Sequence, residues 1–307
     1  MPLHHATPLL ESSAYRSAQR RVWLKMEALQ PSGSFKMRGI GHACETHAAR
    51  GATRLLSSSG GNAGLATAVA GRLLGLPVTV VVPQTTLQRP KDLIRREGAD
   101  VRVHGCSWME ANAHLQSLLR EGDAFIHPFD DPLVWQGHAS LVDEVAAAGL
   151  RPDAVVLSVG GGGLLCGVLQ GLHAHGWTDV PVLAAETDGA DSLARAMQAG
   201  APVTLPAITS IATSLGARQV CERAWRWTRE HPVHSVVLSD LQAVQACLDF
   251  AREHRVIVEP ACGVALAAAG DANSAALKSA RDVLVIVCGG VAASHEQLQE
   301  WAAALAA

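Results

Sequence analysis

Short, nearly unbroken apolar runs alternate along this chain with longer stretches whose apolar positions recur every three or four residues. Val78-Thr79-Val80-Val81-Val82, Ala154-Val155-Val156-Leu157-Ser158 and Val283-Leu284-Val285-Ile286-Val287 are runs of the first kind. They predict strands buried on both faces, because a half-exposed strand would alternate apolar with polar. Residues 22–26, 54–57, 100–103, 124–126, 181–186 and 236–238 predict further strands. Between them the spacing predicts helices over 35–50, 62–74, 88–97, 108–120, 133–148, 164–173, 217–228, 240–253 and 261–269, with one more at the C-terminus. Gly51, Gly75 and Gly98 stand where the first three of these end. The Pro-, Thr- and Ser-rich stretch 200–216 reads as a loop over a sheet face. This β-α-β-α rhythm predicts open, mostly parallel sheets flanked by helices. His127-Pro128-Phe129-Asp130-Asp131-Pro132 breaks it and marks a crossing between two α/β domains. The expected division is 31–130 as a smaller, inserted domain, with 1–30 and 131–307 forming the larger one.

The residues suited to chemistry gather where strands end or helices begin. Pro31-Ser32-Gly33-Ser34-Phe35-Lys36-Met37-Arg38-Gly39 sets one lysine after a small, polar, turn-forming run. A lysine that attacks a carbonyl carbon needs such support, because its amine must be held still and partly desolvated. A surface-helix lysine, or one contacting a phosphate, would fit the same nonapeptide. Ser58-Ser59-Gly60-Gly61-Asn62-Ala63-Gly64 ends a strand and opens a helix. Its hydroxyls and N–H groups suit a carboxylate and the Asn62 amide suits a ring oxygen, although a simple helix cap would use the same residues. Gly160, Gly161, Gly162 and Gly163 follow a buried strand. There, free N–H groups and a helix dipole make an anion site, and no Cβ keeps a phosphate from the main chain. A dinucleotide loop is the rival, since Glu186 follows at about the Rossmann distance, but G-x-G-x-x-G fails at Leu165. Val287-Cys288-Gly289-Gly290 closes the last strand, where a buried structural cysteine is also common. Together the four segments look like a pyridoxal-phosphate (PLP) site at the strand ends, where α/β sheets keep their ligands.

Composition narrows the alternatives. Hydrophobic residues make up 49% of the 307, enough for a sizeable core and too many for a disordered chain. Aromatics are only 4%, so Ala, Val, Leu and Gly carry the apolar content, as suits helices packed closely on a sheet. A net charge of −3 without basic runs gives no reason to expect nucleic acid or an anionic membrane. No apolar stretch reaches the roughly 20 residues that span a bilayer. Residues 1–5 lack the basic and apolar regions of a secretory signal. The seven cysteines are scattered, without a C-x-x-C pair, and read as reduced thiols of a cytoplasmic protein. The fourteen histidines include no H-E-x-x-H, which removes the common metal-hydrolase pattern.

With these segments in view, the chain resembles the serine/threonine dehydratases of the PLP fold-type II family, above all the short serine dehydratase and serine dehydratase-like enzymes. Landmarks of the resemblance run through the whole length: QPSGSFKMRGIGH, SSSGGNAGLA, PFDDPLVWQGHAS, LSVGGGGLLCGV, AAETDGADS, ITSIATSLGA, VEPACGVALAA and VIVCGG. The resemblance implies a tryptophan synthase β-like fold with PLP in the cleft between two domains, and a homodimer. It makes Lys36 the Schiff-base lysine and Phe35 the residue stacked on the cofactor ring, with Ser214 on the opposite face. Asn62 would bond the ring hydroxyl, and Ser59, Gly60 and Asn62 would line the substrate-carboxylate loop. Gly160 to Gly163 would cradle the phosphate and Cys288 would face the pyridine nitrogen. Glu186, Ala190 and Ser192, with the main chain near Leu215, would form a monovalent cation site for potassium. Residues alone would make Glu186 a strand-end surface carboxylate. The implied reaction is β-elimination from L-serine or L-threonine, giving pyruvate or 2-oxobutanoate and ammonia.

Departures and rivals bear on that expectation. Val291-Ala292 stand where the family often has Ser-Asn, and Ser214 where it often has alanine. The linker before Val283 looks shorter than in many relatives. Serine racemases resemble the chain closely but carry a serine where Gly60 stands, as an acid on the second face. Cysteine synthases need a different carboxylate loop and a serine at Cys288, and threonine synthase is longer. Outside enzymes, a PLP-binding regulatory protein is the alternative, and retention of Lys36 with every loop weighs against it.

Overall fold

The structure is a computed structural model describing residues 2–270, 274 and 276–306; part of the linker ahead of the last strand lies outside the described residues. In chain order the strands are β1 (Leu9–Glu11), β2 (Arg21–Lys25), β3 (Arg54–Ser57), β4 (Val78–Val82), β5 (Asp100–Val103), β6 (Asp123–Phe125), β7 (Ala154–Ser158), β8 (Val182–Thr187), β9 (Val233–Leu238) and β10 (Asp282–Ile286). The helices are α1 (Lys36–Ala49), α2 (Asn62–Leu74), α3 (Gln88–Arg96), α4 (Trp108–Ser117), α5 (Pro132–Ala147), α6 (Gly163–Ala174), α7 (Ser192–Ala199), α8 (Glu222–Glu230), α9 (Asp240–His254), α10 (Pro260–Ala269) and α11 (His295–Leu305).

Two sheets result. The larger runs β1-β2-β10-β7-β8-β9, with β1 antiparallel and the others parallel. The smaller runs β5-β4-β3-β6 and is parallel throughout. Every residue of β4 and β7 is buried, which is what their unbroken apolar runs require of strands covered on both faces. Edge strand β5 is largely exposed and carries Asp100 and Arg102, charges that discourage pairing with another chain. One apolar core surrounds the larger sheet, and a second joins Met37, Ile40, Ala43 and Cys44 of α1 to α2 and β4.

Several elements differ from the spacing-based expectation, each for a tertiary reason. Helix α8 starts at Glu222 rather than 217, because Arg218 is tied to Leu205 and the Cys221 N–H donates to Gly161 O at 3.0 Å. Helix α4 stops at Ser117, short of 120, where the Arg120 N–H turns to the Asp123 carboxylate. The spacing gives no sign of α7, whose first turn is held by Glu186, a residue of the preceding strand. Nor does it show β1, a short ribbon paired with β2.

Behind β2 and α1 lies a buried ionic cluster. Arg38, wholly buried, spans Glu27 at 2.7 Å and Glu144 at 2.7 Å, and Lys25 reaches Glu144 at 2.5 Å. These bonds fix the first turn of α1 to α5 and to the end of β2. Gly39 completes the contact: a Cβ there would lie 2.4 Å from Val134 O, so only glycine lets α1 approach α5 so closely.

Candidate active site

The parallel strands end on one side of each sheet, and the loops they feed converge there. Lys36 is the first residue of α1, with its lead-in knitted to the last strand's turn. Ser34 bridges Gly289 in antiparallel fashion, the Phe35 N–H donates to Cys288 O at 3.0 Å, and the Gly290 N–H donates to Gly33 O at 2.9 Å. Two sequence segments from opposite ends of the chain thus become one piece of structure. The Lys36 amine donates to Pro128 O at 2.7 Å and lies 5.0 Å from the Phe35 ring centre. No carboxylate pairs with it among the described residues. Burial therefore dominates and lowers its pKa to about 8, with Cys288 and Glu259 opposing weakly.

The tetraglycine turn lies beside this amine. Pro128 leads into Phe129, whose ring would be 2.4 Å from a Cβ at Gly161, so the loop can lie against it only as glycine. Gly162 adopts φ 93°, a left-handed conformation that other residues resist. The N–H groups of Gly160, Gly161, Gly162 and Gly163 find no acceptor among the described residues. Four unpaired donors at a helix start, with no side chain over them, fit a phosphate. Across the turn, Gly160 packs against the main chain of Ser214 and Leu215. Cys288 sits below, its Sγ 3.5 Å from Ser158 Oγ at the end of β7. Ser34 Oγ is buried without any partner, a further polar group that awaits one.

Asn62 opens α2 and joins this group. Its Nδ2 donates to Glu259 at 2.7 Å and to Ser214 Oγ at 3.3 Å, while its Oδ1 accepts from the Val291 N–H at 3.2 Å. Ser59 Oγ accepts from the Gly61 N–H at 3.3 Å, and Thr86 fills the space beside Gly60. The structure thus links Phe35, Lys36, Asn62, Ser214, Cys288 and the tetraglycine through one set of contacts, with Ser59 and Gly60 in the turn that leads to Asn62.

Glu186 corrects the surface reading, because it is wholly buried. Its two oxygens accept from the Leu193 and Ala194 N–H groups, each at 2.8 Å, and burial raises its pKa to about 8. Ser192 Oγ nearby is buried with no partner, and Ala190 is buried too. The buried Glu186 carboxyl and the Ser192 hydroxyl thus lie together at the start of α7. Leu215, however, forms no hydrogen bond to this cluster: its N–H donates to Ala212 O and its carbonyl accepts from Ala217.

Two residues escaped sequence reasoning. Glu259 is buried, accepts from Asn62 and from the Ala292 N–H at 3.1 Å, and is held above the ordinary carboxylate range by burial. The Glu-Pro pair ahead of α10 was the available sign, since Pro260 marks a helix start. His138 lies 4.8 Å from the Phe35 ring, and its Nδ1 accepts from the Gly39 N–H at 3.2 Å. Burial keeps it neutral, well below the usual histidine range.

Comparison with known proteins agrees with this geometry. Residues 1–289 match the family model described as pyridoxal-phosphate dependent enzyme. The chain belongs to that family. It is 50% identical to a mouse (Mus musculus) protein named serine dehydratase-like, over 97% of this chain and 94% of the relative. It is 47% identical to the mouse L-serine dehydratase/L-threonine deaminase, over the same shares. The crystal structure of a fungal L-serine ammonia-lyase from Rhizomucor miehei superposes with a TM-score of 0.91 at 35% identity, covering 98% of each chain. Within this family the free donors at the tetraglycine and the desolvated Lys36 are the features that fit PLP.

Proposed function

We propose that this protein is an L-serine and L-threonine ammonia-lyase that uses PLP to form pyruvate or 2-oxobutanoate and ammonia. The observation that carries the reading is Lys36: a buried amine with no counter-ion among the described residues, beside the tetraglycine N–H groups, which have no acceptor among them either. At pH 7 an amine with a pKa of about 8 is about one-tenth neutral, so it can act as nucleophile and base. PLP supplies the electron sink for charge developing at the substrate α-carbon. Gly160 to Gly163 would hold its phosphate, Asn62 its ring hydroxyl, and Phe35 and Ser214 its two faces. Cys288 would set a thiol rather than a carboxylate where the ring nitrogen would lie. A thiol there would supply no carboxylate to hold a proton on the ring nitrogen, which would suit elimination of the β-hydroxyl. Lys36 would hold the cofactor aldehyde through its amine and would be the base that takes the substrate α-proton. Ser59, Gly60 and Asn62 would orient the substrate carboxylate.

Gly60 separates this reading from racemisation. A second-face acid would need a side chain there, and a Cβ would already lie 2.7 Å from Thr86. The reading extends to a potassium ion held by Glu186, Ala190 and Ser192, supported by the orphaned Ser192 hydroxyl. The Leu215 carbonyl already accepts from the Ala217 N–H and would offer the cation its second lone pair. It further extends to a small domain over 31–130 and a large one from 1–30 with 131–307, to a homodimer, and to a cytoplasmic enzyme with free thiols.

Oxo-acid release from L-serine and L-threonine tests it, using PLP-loaded protein in potassium buffer beside Lys36→Ala. The wild type should turn over and the variant should not. PLP binding without oxo-acid release would reject the lyase assignment.

A further inference from the structure

Cys166 and Cys221 meet beneath the tetraglycine turn, with Sγ atoms 3.9 Å apart and both side chains buried. Cys166 belongs to the first turn of α6, the helix that the turn opens, and Cys221 is the N-cap of α8. The turn is fastened to the second of them: the Cys221 N–H donates to Gly161 O, and a Cβ on Gly162 would lie 3.3 Å from the Cys221 sulfur. Nothing in the proposed reaction uses either thiol. We propose that Cys166 and Cys221 form a reversible disulfide under peroxide, and that this bond distorts the tetraglycine cradle and weakens cofactor binding. The second half of this inference rests on the tetraglycine being the phosphate site; the first half does not.

The two sulfurs are unequal in the way the reaction needs. Contact with the Cys166 sulfur, together with the N–H groups of Ala224 and Arg223 at the start of α8, holds Cys221 below its ordinary pKa despite burial. Burial pushes Cys166 up. Cys221, as the N-cap of α8, sits where the helix start favours a thiolate and is assigned as the attacking sulfur, with Cys166 as the resolving thiol. The Cys221 thiolate attacks one peroxide oxygen, the O–O bond breaks, and hydroxide leaves and takes up a proton as water. The Cys166 sulfur then attacks the resulting sulfenic sulfur, a second water departs with the Cys166 proton, and the S–S bond forms. Two thiols are oxidised and one hydrogen peroxide is reduced to two waters. Closing 3.9 Å to the roughly 2.05 Å of a disulfide must draw the α8 cap towards α6. Because Gly161 O hangs on the Cys221 N–H, that movement pulls on the loop whose donors face the cleft.

The experiment compares PLP-loaded and PLP-free protein treated with hydrogen peroxide. Remaining thiols are blocked under denaturing conditions, the protein is digested without reductant, and peptides are mapped by mass spectrometry. The expected result is a Cys166–Cys221 crosslinked peptide that dithiothreitol reverses. The oxidised protein should bind PLP about tenfold more weakly, an ordinary coupling between a local lock and a site, with recovery on reduction. Cys166→Ala should form no crosslink and keep its affinity through the same treatment. If both cysteines remain blockable thiols while exposed Cys106 is oxidised, the disulfide is overturned. If the crosslink forms and PLP affinity stays unchanged, the link to the cradle is overturned. The peptide map needs neither variant nor activity, so it stands even if the lyase assignment fails.

Discussion

Lys25 and Lys36 are both drawn out of water a short distance apart in the chain, and their surroundings are opposite. Lys25 ends β2 with its amine against Glu144 at 2.5 Å and Thr7 O at 2.6 Å. Lys36 opens α1 with a lone carbonyl at 2.7 Å and an aromatic face. The chain therefore has the means to neutralise a buried ammonium and uses them only behind the site. On that side Glu27, Arg38 and Glu144 satisfy one another, so the first turn of α1 is rigid. In front, the same turn presents an amine whose charged form is penalised by burial. Rigidity and reactivity come from one helix start because its two faces are treated differently.

The paired side should give the largest response to mutation. Arg38→Met leaves the wholly buried Glu27 uncompensated and should lower unfolding free energy by about 3–5 kcal/mol in chemical denaturation. An unchanged midpoint would mean that water reaches the cluster. The two lysines should then differ in sign. Lys25→Met removes charged hydrogen bonds and should destabilise by about 1–3 kcal/mol. Lys36→Met removes an unpaired buried amine, so cofactor-free protein should be equally stable or gain about 1 kcal/mol while oxo-acid release vanishes. Equal losses in both variants would erase the distinction.

A pH series sharpens the contrast at lower cost in energy. With Lys36 at about 8, its neutral share rises from about one-tenth at pH 7 to about nine-tenths at pH 9. Initial rates of borohydride-trapped PLP attachment should follow, rising roughly ninefold with a midpoint near 8; a midpoint near the free-lysine value would mean that the amine is solvated. The smallest effect concerns Glu186, whose folded pKa of about 8 exceeds its unfolded value of about 4.5. Its contribution to stability is complete below the unfolded value and is lost as pH rises through the folded one. Without potassium, the melting temperature should fall across that window. Potassium should recover part of the fall, and Glu186→Gln should flatten it. A melt insensitive to both would remove the cation reading.

The sequence made the sheets legible wherever burial was two-sided and bounded by turn residues. β3, β4 and β7, and helix α2, have the bounds that their spacing predicts, as does the exposed edge strand β5. The same local logic fails where a distant group fixes an end. Glu186 creates the start of α7 from the preceding strand, and Gly161 holds back the start of α8. At the site, glycines and the lysine lead-in were visible because backbone approach demands unusual residues. Glu259 and His138 were not, since each is an ordinary polar residue until folding brings Asn62 and Ala292 to one, and Gly39 and Phe35 to the other. Buried polar partners are chosen by topology, which a local pattern does not contain.

The bridge between Ser34 and Gly289, with β10 laid between β2 and β7, also has a consequence during synthesis. A nascent chain on the ribosome displays Lys36 and the tetraglycine long before β10 emerges from the exit tunnel. Until then β2 lacks its parallel neighbour and the lysine lead-in lacks its anchor. Cofactor capture is thereby tied to the synthesis of β10, and a polypeptide terminated before it would carry Lys36 without the means to hold it in place.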